Sequence, residues 1–194
     1  DRTTMGNSGL KPEEAYSSEA GIRFYSPNVE MSLAYFNRKS ENLIDFVKTN
    51  EEDLWKAENI QQIKTRGIDF ELLHTIKFNY LIHRFKISYS YLENELENSN
   101  FNFSRYSINN DLRHHFVYSY SIPITKKLNF FIVYKYIERY MEDSYNLLDI
   151  SARCSFNALE LSFYFNNVFN TEYWESNLVP MPKGNGLIGL SYSF

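Results

Sequence analysis

The sequence predicts an all-β protein, a transmembrane antiparallel β-barrel of which this chain is one portion. Three observations predict it. Apolar residues recur with period two along most of the chain, and helical periodicity is nearly absent. Aromatics make up 18% of the 194 residues, with 16 Phe and 16 Tyr, and Tyr-rich usage is what interfacial girdles need, since the ring sits in apolar surroundings while the hydroxyl reaches headgroups. The breaks between strands alternate between short turns and longer polar connections, as periplasmic turns and extracellular loops do. A mean hydropathy of −0.45 is no objection, because a barrel strand shows only half its side chains to lipid. No stretch approaches the ~20 apolar residues of a membrane-spanning helix.

The elements follow in order, about nine strands in all. The first covers 15–26 and turns at Pro27-Asn28. The second, 29–47, carries Val29, Met31, Leu33 and Tyr35 on one face, and a polar loop follows at 49–58. The third covers 61–76 and turns at 77–79. The fourth, 81–93, sets Phe85, Ile87, Tyr89 and Tyr91 against Arg84, Lys86, Ser88 and Ser90. After a loop at 94–104, the fifth covers 106–122, and 123–127 is a turn. The sixth, 128–139, is less clean, because Phe131 and Val133 fall on the polar side. The seventh, 147–156, turns at Asn157-Ala158 into a final hairpin of 159–166 and 187–194. Its last arm sets Ile188, Leu190, Tyr192 and Phe194 against Gly189, Ser191 and Ser193, a dyad suited to lipid on one side and water on the other.

Short breaks fall near 27, 78, 124 and 157, and long ones near 53, 99, 142 and 178. A Greek-key sandwich has no reason to alternate in this way. Nine open strands would leave two unpaired edges at bilayer depth, so closure is expected only with further strands. Residues 1–9 contain no apolar core of the secretory-signal type.

Composition excludes several functions. The net charge is −4, with no basic block of the kind nucleic acid requires. Cys154, the single cysteine, lies in an apolar alternation and reads as a lipid- or partner-facing side chain. No nucleophile, base and orienting group stand together, so no catalytic site is expected, and no outer-membrane lipase either. No metal site or cofactor is expected: His114 and His115 point to opposite faces, His74 and His83 read as interfacial, and Glu51-Glu52-Asp53 reads as a solvated loop. Trp55, Tyr140, Tyr173 and Trp174 are the best candidates for contact with a small-molecule ligand, since aromatics offer flat apolar surface. For Tyr173 and Trp174 an interfacial girdle is the stronger reading.

Four segments carry a family resemblance. They are Leu10-Lys11-Pro12-Glu13 followed by Glu19-Ala20-Gly21, then Arg66-Gly67-Ile68-Asp69, then Asn167-Val168-Phe169-Asn170-Thr171-Glu172-Tyr173, and the terminal Phe194. In this order they resemble the C-terminal part of the barrel of TonB-dependent outer-membrane receptors, over nearly the whole chain. Pro180-Met181-Pro182 is similar to the siderophore, haem and cobalamin branch, although Lys183 precedes Gly184 where relatives place Gly directly.

The resemblance implies about nine strands of a barrel of roughly 22, in the outer membrane of a Gram-negative bacterium, importing a siderophore, haem, cobalamin or similar ligand with TonB-derived energy. Residues 1–194 would supply barrel wall and extracellular loops. The plug domain and upstream strands would be partners outside this segment, and the TonB complex would act through the plug. Outer-membrane lipid would surround the wall, and Tyr192 with Phe194 would signal to the barrel-assembly machinery. Arg84, Lys86, Asp69, Glu71, Arg113 and Arg153 would face the lumen. The alternative is a complete small barrel of eight to ten strands with a structural or adhesion role.

Overall fold

The computed structural model describes residues 3–97, 102–104, 112–140, 142–175 and 179–193. Among them, eleven strands form one sheet. They are β1 (Thr4–Met5), β2 (Glu14–Tyr25), β3 (Val29–Lys48), β4 (Trp55–Phe78), β5 (Leu81–Glu97), β6 (Phe103–Ser104), β7 (Leu112–Pro123), β8 (Leu128–Arg139), β9 (Tyr145–Phe156), β10 (Leu159–Asn166) and β11 (Asn185–Tyr192). Without β1 and β6, the path β2-β3-β4-β5-β7-β8-β9-β10-β11 is the expected nine-strand meander, antiparallel at every step. Its edge strands β2 and β11 do not pair with each other among the described residues, so the sheet is an open length of wall.

The sixth strand and the turn at 157–158 fall where the sequence places them. Elsewhere the structure moves boundaries. The loop expected at 49–58 is shorter, because β4 begins at Trp55, and Asn79-Tyr80 replaces the turn expected at 77–79. Pro123 closes β7 rather than opening the turn. Residues 106–111 of the expected fifth strand lie outside the described residues.

Period two sorts the side chains onto two faces. One row across the sheet pairs Phe24, Met31, Leu72, Ile87, Tyr118, Tyr134 and Leu148 in turn, and the next pairs Arg23, Ser32, Glu71, Ser88, Val117, Lys135 and Leu147. The first face stays uncovered: Ile22, Leu33, Ile188 and Leu190 are all exposed, Ile188 at 73%. A continuous apolar face of this extent needs an apolar neighbour. On the opposite face Lys86 pairs with Glu71 at 2.7 Å, Lys135 with Asp149 at 3.4 Å and Arg153 with Glu160 at 3.3 Å. Phe131 and Val133 lie on this polar side, as their position predicts, and the Arg153 guanidinium lies 5.8 Å from the Phe131 ring centre.

The alternation also explains three smaller features. His114 pairs across from Tyr91 and His115 from Ser90, on opposite faces. Cys154 sits between Leu161 and Leu128 on the apolar face. Gly67 faces Phe36, and a Cβ there would come within 2.5 Å of both the Phe36 ring and the Tyr91 carbonyl. The glycine thus makes room for an adjacent aromatic on the polar face. Arg113 departs from the pattern, because a register shift between Leu112 and His114 makes it a bulge. Its guanidinium lies 3.9 Å from Glu138, which pairs with His114 of the apolar row.

At the loop-bearing end β3 and β4 outrun β2 and form a projecting hairpin, paired from Leu43↔Ile60 to Val47↔Lys56. Strand β6 pairs with β3 at its tip, and β1 pairs in parallel with β4. Val47 and Ala57 are buried there. The Leu10-Lys11-Pro12-Glu13 segment is lashed to this hairpin. The Lys11 amide donates to Asn59 Oδ1 at 2.8 Å, Asn59 Nδ2 donates to the carbonyls of Lys11 and Asn42, and the Ile44 amide donates to Glu13 Oε1 at 2.7 Å.

Depth along a strand follows from the turns. Ile132 lies well inside β8 on the apolar face, whereas Leu161 is two residues into β10 from its turn. Ile132→Arg in the intact receptor is expected to cost ~2–4 kcal/mol in denaturant titrations from vesicles, and Leu161→Arg about 0–1 kcal/mol. Equal costs at the two positions would contradict this placement of the wall.

Candidate functional site

The strand ends that lead into the connections β3–β4, β5–β7, β8–β9 and β10–β11 all lie at one end of the meander. The best-built of these connections is the last. Asn167 opens it, 4% exposed and in the left-handed backbone region at φ 50°, with Asn170 at φ 55°. Asn tolerates that region better than other side-chain-bearing residues. The Asn167 amide donates to Asp149 Oδ1 at 2.8 Å, its side-chain amide donates to the carbonyls of Thr171 and Pro182, and its Oδ1 accepts the Thr171 amide at 2.9 Å. The Gly184 amide donates to Asn170 Oδ1 at 3.1 Å. The two asparagines thus close both limbs of the loop through side-chain-to-backbone bonds, as the sequence suggests.

The unusual Lys183 has a partner in the same clamp, forming an ion pair with Glu172. The lysine holds the Glu172 carboxyl below the usual carboxylate range through its hydrogen bond and its charge. At Gly184 the space is tight, since a Cβ would meet the Asn167 carbonyl at 3.0 Å.

Beside this clamp lies a groove of about 900 Å³, lined by residues that include Tyr134, Tyr145, Asn146, Phe169, Tyr173 and Trp174. Tyr134 donates to Asn146 Oδ1 at 2.6 Å, and Thr171 Oγ1 donates to the Asn146 carbonyl at 2.8 Å. The Tyr173 ring packs on Tyr145 at 5.1 Å, and burial pushes its phenol pKa up. Glu142, Asp143 and Glu172 also line it.

The four aromatic candidates do not converge. Tyr173 and Trp174 share this groove. Trp55 opens β4 at the projecting hairpin, with the Lys48 ammonium 4.9 Å from its ring centre. Tyr140 is exposed and lines a smaller hollow with Arg66, Glu93 and Arg113, where Arg66 and Glu93 pair at 2.8 Å. Tyr192 ends β11 opposite Leu159, and Phe194 lies outside the described residues. Among the described residues no three His, Cys, Asp or Glu side chains group as metal ligands. Sequence reading missed Asp149, Asn146 and Phe169, because their roles depend on a loop folded back on a neighbouring strand.

The sequence profile described as "TonB dependent receptor-like, beta-barrel" matches residues 1–168. The chain belongs to the TonB-dependent receptor family. It is 31% identical over 184 residues to the Vitamin B12 transporter BtuB of Vibrio vulnificus (strain YJ016), covering 88% of this chain and 27% of that protein. It therefore spans about a quarter of that receptor's length. Its fold resembles the Copper transporter OprC (TM-score 0.76, 12% identity, 97% of this chain and 34% of that one). It also resembles the FrpB iron transporter from Neisseria meningitidis (TM-score 0.74, 16% identity, 98% and 33%) and the siderophore receptor PirA from Acinetobacter baumannii (TM-score 0.71, 18% identity, 98% and 33%). The open sheet is thus a partial transmembrane barrel, with its apolar face toward lipid and its polar face toward the lumen. The family is one of transport receptors rather than enzymes.

Two expectations follow for this TonB-dependent receptor barrel. Asn167→Ala removes bonds to both limbs of the loop and should cost ~1–3 kcal/mol, read as faster proteolytic nicking between residues 170 and 184 in the intact receptor. The Glu172 carboxyl has its folded pKa lowered, so its pairing with Lys183 supports the loop above the ordinary carboxylate pKa and is lost as pH falls through the lowered value. Both side chains are exposed, so the effect is small. Nicking should rise at acid pH in the parent, and Lys183→Met should remove that pH dependence.

Proposed function

We propose that this chain is the C-terminal part of the barrel of an outer-membrane receptor that imports a cobalamin-type or metal-chelate ligand with energy delivered through TonB. The observation that carries this reading is the family match over residues 1–168 together with 31% identity to a vitamin B12 transporter. The wall supplies a lumen lined by Arg84, Lys86, Asp69, Glu71 and Arg153, which suits hydrogen bonds and ion pairs with a plug domain. Ligand is first met by extracellular loops, with Trp55 on the projecting hairpin and Tyr140 and Tyr173 nearer the rim as contact candidates. Tyr192 and Phe194 serve the barrel-assembly machinery. The unpaired edges of β2 and β11 support a wall completed by further strands and speak against a small closed barrel.

Uptake of labelled cyanocobalamin, and of ferric siderophores in parallel, by cells carrying the intact receptor tests this. Accumulation of one ligand that disappears when TonB is deleted is expected. Uptake indifferent to TonB, or absent for every ligand of these classes, would overturn the reading.

A further inference from the structure

The groove beside the Asn167 clamp draws on both faces of the wall near the loop ends of β8 and β9. Tyr134 and Asn146 come from the outward rows, and Tyr145, paired with Ile137, from the lumenal ones. Phe169, Tyr173 and Trp174 come from the last loop. The backbone sets these rings in advance. The Val168 amide donates to the Leu148 carbonyl at 2.7 Å, which lays the first limb of the loop along β9. The Met181 amide donates to the Tyr173 carbonyl at 3.0 Å and Trp174 pairs with Pro180, so the aromatic limb is held by the returning one. The Tyr145 and Tyr173 ring centres lie 5.1 Å apart with their planes tilted by 31°. Phe169 and Trp174 are exposed at 53% and 48%. Rings fixed in this way lose little freedom when a ligand covers them.

The polar lining points to one ligand chemistry. Glu142, Asp143 and Glu172 are carboxylate acceptors, and Ser144, Asn146 and Thr171 add hydroxyl and amide groups. No Lys, Arg or His stands among these lining residues, so an anionic chelate or a phosphorylated sugar meets no cation there. Glu172 is already paired with Lys183, and acts as an acceptor rather than as an open charge. We propose that this groove binds a neutral, soluble oligosaccharide. A pyranose carries C–H groups on its faces and hydroxyl donors around its edge. The faces stack on the electron-rich faces of Tyr145, Tyr173 and Trp174, and the hydroxyls donate to the carboxylates. The volume of about 900 Å³ is that of a whole ligand site, more than one sugar ring fills. The receptor thus carries a carbohydrate contact at its rim. This assignment rests on the groove's own lining, and stands or falls independently of which ligand is imported.

Calorimetric titration of the intact receptor decides it. The receptor is purified in an amine-oxide detergent, which has no sugar headgroup, and titrated with maltohexaose, cellohexaose and mannohexaose. Heat-modified gel mobility checks that each variant is folded, and Phe169→Ala serves as a second variant should Trp174→Ala fail to assemble. The expected result is saturable binding of at least one of the three sugars. Trp174→Ala should weaken it about tenfold, and Tyr80→Ala, in the β4–β5 turn at the opposite end of the wall, should leave it unchanged. Saturable binding of none of the three, or binding that neither groove variant weakens, would overturn the proposal. Saturation by tetraethylammonium in place of the sugars would make the groove a cation site and overturn it equally. Uptake is not the readout, so failure here leaves the import reading standing.

Discussion

Backbone hydrogen bonding is the constraint on which the rest of this chain depends. In hydrocarbon an unpaired peptide group has no water to turn to, so every strand within the bilayer must be flanked on both sides. The nine-strand meander meets that demand for its seven interior strands and leaves it open at β2 and β11. Antiparallel pairing in turn fixes which residues share a row, and a one-residue slip would turn Met31, Leu72, Ile87 and Tyr118 toward the lumen and Ser32, Glu71 and Ser88 toward lipid. The chain leaves little freedom for such a slip. Short turns at 26–28, 79–80, 124–127 and 157–158 pin the register at one end, and the ion pairs on the polar face hold it across the strands.

Where both faces of a strand obey this rule, the sequence was legible. The bounds of β8 and the turn before β10 could be read directly, because each contains a full run of alternation closed by turn residues. The rule also predicted the opposite facing of His114 and His115. It failed where the chain leaves the membrane. Trp55-Lys56-Ala57-Glu58 reads as polar loop, yet it is strand, because above the bilayer neither face needs to be apolar and hydrogen bonding to β3 and β1 is enough. The two-residue strands β1 and β6 carry no periodic signal at all. The bulge at Arg113 shifts that side chain away from the lumenal series that strict alternation assigns to it.

The last loop shows why a motif can be visible in sequence while its mechanism is not. Asn167 and Asn170 are recognisable as turn residues, but what they close is fixed by partners far along the chain. Asp149 supplies the acceptor for the Asn167 amide and also faces Lys135. One carboxylate thus joins the loop to the lumenal wall. On the other limb, Pro182 and Gly184 receive the clamp. Lys183 between them pairs with Glu172, so a cation stands opposite an acid on the facing limb of the loop.

Row assignment also changes what an exposed aromatic means. By residue type alone, Trp55, Tyr140, Tyr173 and Trp174 are equivalent ligand candidates. By position they differ. Trp55 is held against Lys48 on the projecting hairpin. Tyr140 lies beside the Arg66–Glu93 pair. Tyr173 packs on Tyr145, whose partner Ile137 belongs to the lumenal rows. Trp174 lines the same groove as Tyr173 and Tyr145, together with Tyr134, whose partner Leu148 belongs to the lipid-facing rows. The groove beside the last loop therefore draws its lining from both faces of the wall. The same hydrogen-bond register that keeps the backbone satisfied in lipid decides from which face each strand residue reaches the last loop.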